Sequence, residues 1–293
     1  MRQSMRRHLV SPLPLRLAVL IFAILPWQLA CGGAQHPAAS DAASAVDTRA
    51  IPELADGMLT VIVFPVVDEP FLAPNLKAGT LPVRAGRDHY QGIDADVMTA
   101  FAKHLGVDLE FLRLEEPGFG ALIPALARGE GDLVASAMSI TEERHRIVDF
   151  SRPYFTIATV VITRRGASIH QLADLTGKLG VGVRGSRPLS MIHELGVECT
   201  LVEVDFQTGA YAELTDGNAD FALLESASAR GALAERPGLE IAFELPGHES
   251  YGYAVAKGSA LKAVLDPFLD QLEESGELDR IIKHHLGAAA SDT

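Results

Sequence analysis

The sequence predicts an α/β fold built twice over, and three observations lead there. Apolar strand-like runs alternate with amphipathic helical stretches from Met58 to Ser136. The same alternation restarts near Leu172 and continues to the last helical stretches. The polar groups with binding chemistry, Ser136, Ser139, Gly185, Ser186 and Glu225, all fall where an expected strand ends, and open α/β sheets take ligands at that end. Strands alternating with helices predict parallel sheets covered by helices.

The elements follow in order. Met58–Phe64 is an apolar run and the first strand. Val97, Met98, Phe101 and Leu105 recur at helical spacing and share one face. Leu109 to Leu112 reads as a strand, Phe119, Leu122, Ile123 and Leu126 as a second amphipathic helix, and Asp132–Ser136 as the next strand. The second round opens with Leu179-Gly180-Val181-Gly182-Val183, a strand ending in Arg184-Gly185-Ser186-Arg187. A helix, a strand through Cys199–Val204, a helix through Tyr211 and Leu214, and a strand at Ala219–Leu224 follow. After Tyr251–Ala256, two helices finish the pattern. Each round spans roughly 100 residues, a usual domain size.

Composition narrows the class. The chain has 293 residues, 48% apolar and 22% charged, an ordinary globular balance. Its formal charge is −13, and from Cys31 onward 21 basic and 38 acidic residues give −17. Such acidity argues against nucleic acid and against broad attraction to anionic lipid. Arg2, Arg6, Arg7 and Arg16 precede the apolar run Leu17–Leu25. A membrane span needs about 20 apolar residues, so this run fits an export signal instead, and residues 1–30 read as a signal peptide. Gln28-Leu29-Ala30-Cys31-Gly32-Gly33 resembles a bacterial lipoprotein box with Cys31 as the lipidated residue. A leucine is usual where Gln28 stands, so ordinary cleavage to a soluble periplasmic protein is the alternative. Residues 31–56, rich in Ala, Ser, Gly and Pro, read as a flexible tether. Cys31 and Cys199 are the two cysteines, so there is no disulfide framework, no metal-ligand spacing and no cofactor motif. Cys199 is expected as a small core residue, and His284-His285 as a solvated helix face.

The stretch Ser136-Ala137-Met138-Ser139-Ile140-Thr141-Glu142-Glu143-Arg144 carries the most chemistry. It follows an apolar strand, Thr141 can cap a helix, and two acids occupy the first turn. Free backbone N–H groups, two serines and the Arg144 guanidinium converge there. That combination suits a carboxylate, because arginine offers charge-assisted, bidentate hydrogen bonds.

From about 57 to 288 the chain resembles family 3 periplasmic solute-binding proteins, the amino-acid receptors of ABC importers. The likeness rests on Tyr90-Gln91-Gly92-Ile93-Asp94-Ala95-Asp96-Val97, Phe119-Gly120-Ala121-Leu122-Ile123-Pro124-Ala125-Leu126 and the Met138–Arg144 loop. Asp149-Phe150-Ser151 with Pro153-Tyr154-Phe155, Leu172-Ala173-Asp174-Leu175 with Gly177-Lys178, and Ser275-Gly276-Glu277-Leu278-Asp279 complete the order. The resemblance implies a two-lobed periplasmic-binding-protein-like fold (type II). Lobe 1 would comprise 57–161 plus 250–293 and lobe 2 would be 162–249, with a ligand cleft between them that closes about a hinge.

By position, the resemblance assigns Arg144 to an α-carboxylate, helped by Ser139 and the Ala137 backbone. Ser186 and Arg187 match the second-lobe segment that reaches the same carboxylate. Glu225 stands where many members place an aspartate for the α-ammonium, and Phe119 would wall the ligand side chain. Asp68 replaces an aromatic residue common in the family, which would favour a cationic or hydroxylated ligand. Leu72 to His89 is longer than the usual hairpin and contains Arg84, Arg87 and His89; whether it covers the cleft is left open by the sequence. The implied partners are a small amino acid and an ABC permease, with a monomer held to the membrane by lipid alone. The expected activity is binding, not catalysis. The alternatives are a periplasmic enzyme on the same fold, resembling a prephenate or arogenate dehydratase with Glu225 or Asp68 as general acid, and a ligand-sensing module.

Overall fold

The computed structural model describes residues 46–64, 70–116 and 118–286. Cys31, with its lipoprotein box, and Asp68 lie outside them. The chain begins with β1 (Met58–Val63), then β2 (Ala73–Pro74), β3 (Arg84–Ala85) and β4 (Tyr90–Gln91). Helix α1 (Ile93–Leu105), β5 (Asp108–Arg113), α2 (Leu122–Ala127), β6 (Leu133–Val134), α3 (Glu142–His145) and β7 (Val148–Phe150) follow. Next come β8 (Phe155–Ile157), β9 (Thr159–Arg164), β10 (Leu179–Val183), α4 (Arg187–Glu194), β11 (Thr200–Val204) and α5 (Gln207–Thr215). The chain ends with β12 (Phe221–Glu225), α6 (Ser226–Ala234), β13 (Leu239–Glu244), β14 (Glu249–Tyr251), β15 (Ala254–Ala256), α7 (Lys262–Glu274) and α8 (Glu277–Leu286).

Two sheets organise these elements. The first has the order β3-β5-β1-β6-β15-β7 and the second β11-β10-β12-β9-β13. Their centres are parallel, as expected: β1 lies between β5 and β6, and β10 between β11 and β12. The edges are not. β15 runs antiparallel to β6 and β7, β3 to β5, and β9 to both β12 and β13. The expectation of purely parallel sheets is therefore corrected to mixed ones, because the strands that leave and re-enter each sheet run against its direction. The chain passes between the sheets along β8 and returns along β14, and these two strands pair antiparallel, Glu249 opposite Ile157 and Tyr251 opposite Phe155. The expected lobe limits, 162 and 249, fall inside β9 and at the first residue of β14.

Helix α1 shows how the sequence builds its scaffold. Val97, Met98, Phe101 and Leu105 are all buried, so the predicted face is the packed one. Burying each contributes about 1.5–3 kcal/mol. Gly106 ends the helix in the left-handed region at φ 70°, its N–H donating to the carbonyls of Ala102 and Lys103. Apolar contact is continuous between the sheets: Phe64 packs edge-on against Phe119 at 5.5 Å and tilted against Phe206 at 6.0 Å.

The 72–89 segment is pinned by β2 pairing with β4 and by β3 pairing with β5, and β3 forms one edge of the first sheet. One expectation is corrected at the periphery. His285 is not on a solvated face: its Nε2 lies 2.8 Å from Asp96 Oδ2 and the side chain is 17% exposed, whereas His284 is exposed. Cys199 is half-buried against an apolar cluster that includes Ile192, Phe221 and Leu223, and burial pushes its thiol pKa up.

The most constrained polar group is Asp94, in the first turn of α1 and fully buried. Its Oδ1 accepts hydrogen bonds from the Tyr154 hydroxyl at 2.6 Å and the Tyr253 hydroxyl at 3.2 Å. Its Oδ2 accepts the Ala137 N–H at 2.8 Å. The two tyrosine rings stack at 4.4 Å. Burial first, and then the Asp94 charge, hold both tyrosine hydroxyls well above the ordinary range, so they remain donors. Ala137 is the one non-glycine residue with positive φ among the described residues, at 47°. Replacing Asp94 by alanine strands three donors, each costing about 1–3 kcal/mol when buried and unmade. Asp94→Ala is expected to lose about 3–5 kcal/mol of stability in urea unfolding at pH 7. A loss below about 1 kcal/mol would mean the network contributes no more than an exposed polar contact.

Candidate functional site

Arg144 is delivered by α3, a four-residue helix whose N-cap Thr141 accepts the Arg144 N–H through Oγ1 at 3.2 Å. Its guanidinium turns back across the molecule. Nη1 donates to the Ser139 carbonyl at 2.9 Å and Nη2 to the Gly185 carbonyl at 3.1 Å. The cation also stands 5.4 Å from the centre of the Phe119 ring, within the range of a cation–π contact. Ser139 follows a strand of the first sheet and Gly185 follows a strand of the second, so one side chain joins both. Two of its five N–H donors are used in these bonds. Desolvation lowers the Arg144 pKa, Arg187 pushes in the same direction, and the negative charges of Glu249 and then Glu225 oppose them. An arginine under that pressure remains a cation.

The expected site residues divide by what they touch. Phe119 is half-buried, wedged between Phe64 and the Arg144 cation, and its N–H donates to the Arg184 carbonyl at 3.1 Å. Next to it, Gly185 has φ 72°, and a Cβ there would fall 2.6 Å from the Gly120 nitrogen. Glycine is required at 185 for the two loops to meet. Ser186 caps α4 in position, and its Oγ is buried with no hydrogen-bond partner among the described residues. Glu225 ends β12 opposite Thr159 and precedes α6. Ser139 is buried, and its hydroxyl donates to Glu249 Oε2 at 3.0 Å. The Ala137 N–H donates to Asp94 Oδ2 at 2.8 Å, so the expected backbone donor for a ligand carboxylate is already engaged.

Arg187 is differently employed from the expectation. Its Nε pairs with Glu249 Oε1 at 2.6 Å, its Nη2 donates to Glu194 Oε2 at 2.8 Å, and its Nη1 donates to Ser190 Oγ at 3.0 Å. Every nitrogen of the fork has a protein partner, so in this conformation most of its five N–H donors are directed at the chain itself. The hydrogen bond to Glu194 raises its pKa.

Glu249 is the residue that sequence reasoning missed. It is 8% exposed, lies on β14, and touches both Ser139 and Arg187. The available signal was Arg187 itself, an unusual cation at a helix start: a buried cation calls for a buried anion. A separate cavity of 1170 Å³ is lined by Phe155, Ile157, Tyr211, Ser226 and Arg236 and includes none of Arg144, Ser139, Ser186 or Glu249. Arg230, Arg236, Glu235 and Glu244 line that cavity too, so it also carries both signs of charge; the candidate site is placed at Arg144 because its guanidinium joins the two sheets.

Comparison with known proteins agrees with this architecture. The family model of bacterial extracellular solute-binding proteins, family 3, matches residues 80–288. A probable histidine-binding protein of Neisseria gonorrhoeae is 32% identical over 202 residues, covering 67% of this chain and 74% of that protein. The ABC transporter glutamine-binding protein GlnH of Bacillus subtilis is 29% identical over 195 residues, covering 66% and 71%. A membrane-bound lytic murein transglycosylase F of Desulfosudis oleivorans is 31% identical over 205 residues, but the chain spans 44% of its length. The crystal structure of the amino acid ABC transporter substrate-binding protein AbpA of Streptococcus pneumoniae, bound to L-arginine, superposes with a TM-score of 0.71 at 28% identity, covering 82% of this chain and 99% of that one. The two sheets form the two lobes of a type II periplasmic-binding-protein-like fold, and the chain belongs to the bacterial extracellular solute-binding proteins, family 3.

Proposed function

We propose that the chain is the extracytoplasmic receptor of an ABC importer and that it binds a small α-amino acid between its lobes. The observation that carries this reading is the Arg144 guanidinium, joined to Ser139 on one side of the cleft and to Gly185 on the other. Arg144 would hold the α-carboxylate with its remaining donors, aided by the Ser186 hydroxyl. Glu225 would take the α-ammonium, together with the Ala137 carbonyl. Phe119 would wall the ligand, and Asp68 would face its side chain. Arg187 would act through its charge. One cation and one anion facing a zwitterion offset the desolvation that closure imposes. The relatives named for glutamine and histidine, and the arginine-bound structure, support the headgroup reading, since these ligands share the α-amino acid group and differ in side chain.

The lobes would be 57–161 with 250–293, and 162–249, hinged on β8 and β14. The protein would work as a monomer in the periplasm, delivering ligand to a membrane permease. Cys31 would carry the lipid anchor, so a labelled fatty acid should enter the wild-type protein and not Cys31→Ala; an unlabelled wild type would contradict the anchor.

Arg144→Ala is expected to weaken amino-acid binding at least a hundredfold in titration calorimetry, with the circular dichroism spectrum unchanged. Removing one partner of a buried charge pair costs about 3–5 kcal/mol, and about 1.4 kcal/mol is a factor of ten in affinity. Binding within threefold of wild type would refute the carboxylate role.

A further inference from the structure

Glu249 sets the charge that the cleft accepts. Its carboxylate is buried, a placement that is costly unless the charge is paired and hydrogen-bonded. Oε1 forms an ion pair with Arg187 Nε at 2.6 Å without an aligned hydrogen bond, and Oε2 accepts the Ser139 hydroxyl at 3.0 Å. Among the anions, it is also the foremost influence on Arg144. Glu194 holds the outer side of Arg187 but is largely exposed, with 60% of its side chain accessible, whereas the Glu249 side chain is 7% exposed. The buried carboxylate is therefore the less screened of the two.

The consequence concerns the second carboxylate of a ligand. Two arginines beside one cleft would suit a dicarboxylic amino acid, one group for each cation. Here Arg187 Nε already holds a carboxylate supplied by the chain itself. A second ligand carboxylate would find the Nε edge of Arg187 taken by Glu249 and would sit in the field of that buried carboxylate. Like charges placed together in this way discriminate between ligands through repulsion. Resting on the receptor reading above, we infer that Glu249 is a specificity-determining residue that neutralises Arg187 and reserves the cleft for neutral or cationic amino acids.

Titration calorimetry of the wild-type protein, Glu249→Gln and Arg187→Gln against glutamate, glutamine, histidine and arginine tests this. The amide keeps the shape of Glu249 and an acceptor for Arg187. The wild type should bind glutamate at least tenfold more weakly than its tightest ligand of the four. In Glu249→Gln that ratio should move at least tenfold towards glutamate. Arg187→Gln, which leaves Glu249 without its cation, should move it the opposite way, and this arm stands if Glu249→Gln does not fold. Ratios within twofold of wild type in both variants would overturn the inference, as would a wild type that prefers glutamate. An equal gain for all four ligands in Glu249→Gln would also overturn it, because Glu249 would then be competing for the Arg144 donors. A wild type that binds none of the common amino acids would refute the receptor reading, and the inference would fall with it.

Discussion

Three donors on one buried carboxylate hold the binding side of this molecule in place. Asp94 stands in the first turn of α1, where the helix dipole favours its charge. It accepts from Tyr154 and Tyr253, which flank the two strands that run between the lobes, and from the Ala137 N–H. Left-handed backbone costs about 1–2 kcal/mol for a residue with a Cβ. The Asp94 bond holds Ala137 in that conformation. Two residues on, Ser139 bridges to Tyr251 and offers its carbonyl to Arg144. One buried anion thus connects a helix, both crossing strands and the loop that carries the cation.

A second set of charges spans the cleft. Arg144 touches Ser139 and Gly185, and Glu249 touches Ser139 and Arg187. These contacts meet beside β8 and β14, the segments on which relative lobe movement would have to turn. A cleft that closes removes water from its walls, and unpaired charge there is expensive.

Much of this was legible in the sequence where cause and effect are neighbours. The Thr141 cap and the Arg144 that follows it are three residues apart, and the structure places the cap as read. The buried face of α1 follows from its spacing alone. The position of Glu225 at the end of β12 follows because a strand end is a local signal. What escaped depends on distant partners. Asp94 and Ala137 are 43 residues apart, and Ser139 and Glu249 are 110 apart, so no window of sequence contains the pair. His285 looked solvated for the same reason, since Asp96 lies 189 residues away. Strand direction at the sheet edges was likewise hidden, because an apolar run has the same pattern in either direction. Arg187 was recognised as unusual, but its contacts with Glu249, Ser190 and Glu194 were not, since Glu249 lies 62 residues away.

The direct test of the carboxylate site leaves the protein unaltered and changes the ligand. Titration calorimetry of the wild type with its tightest amino acid, and with the amine formed by decarboxylating that amino acid, isolates the group that Arg144 is held to grip. The amine should bind at least a hundredfold more weakly, the loss expected from a buried charge pair of about 3 kcal/mol. Equal affinity for acid and amine, within threefold, would contradict the central role of Arg144.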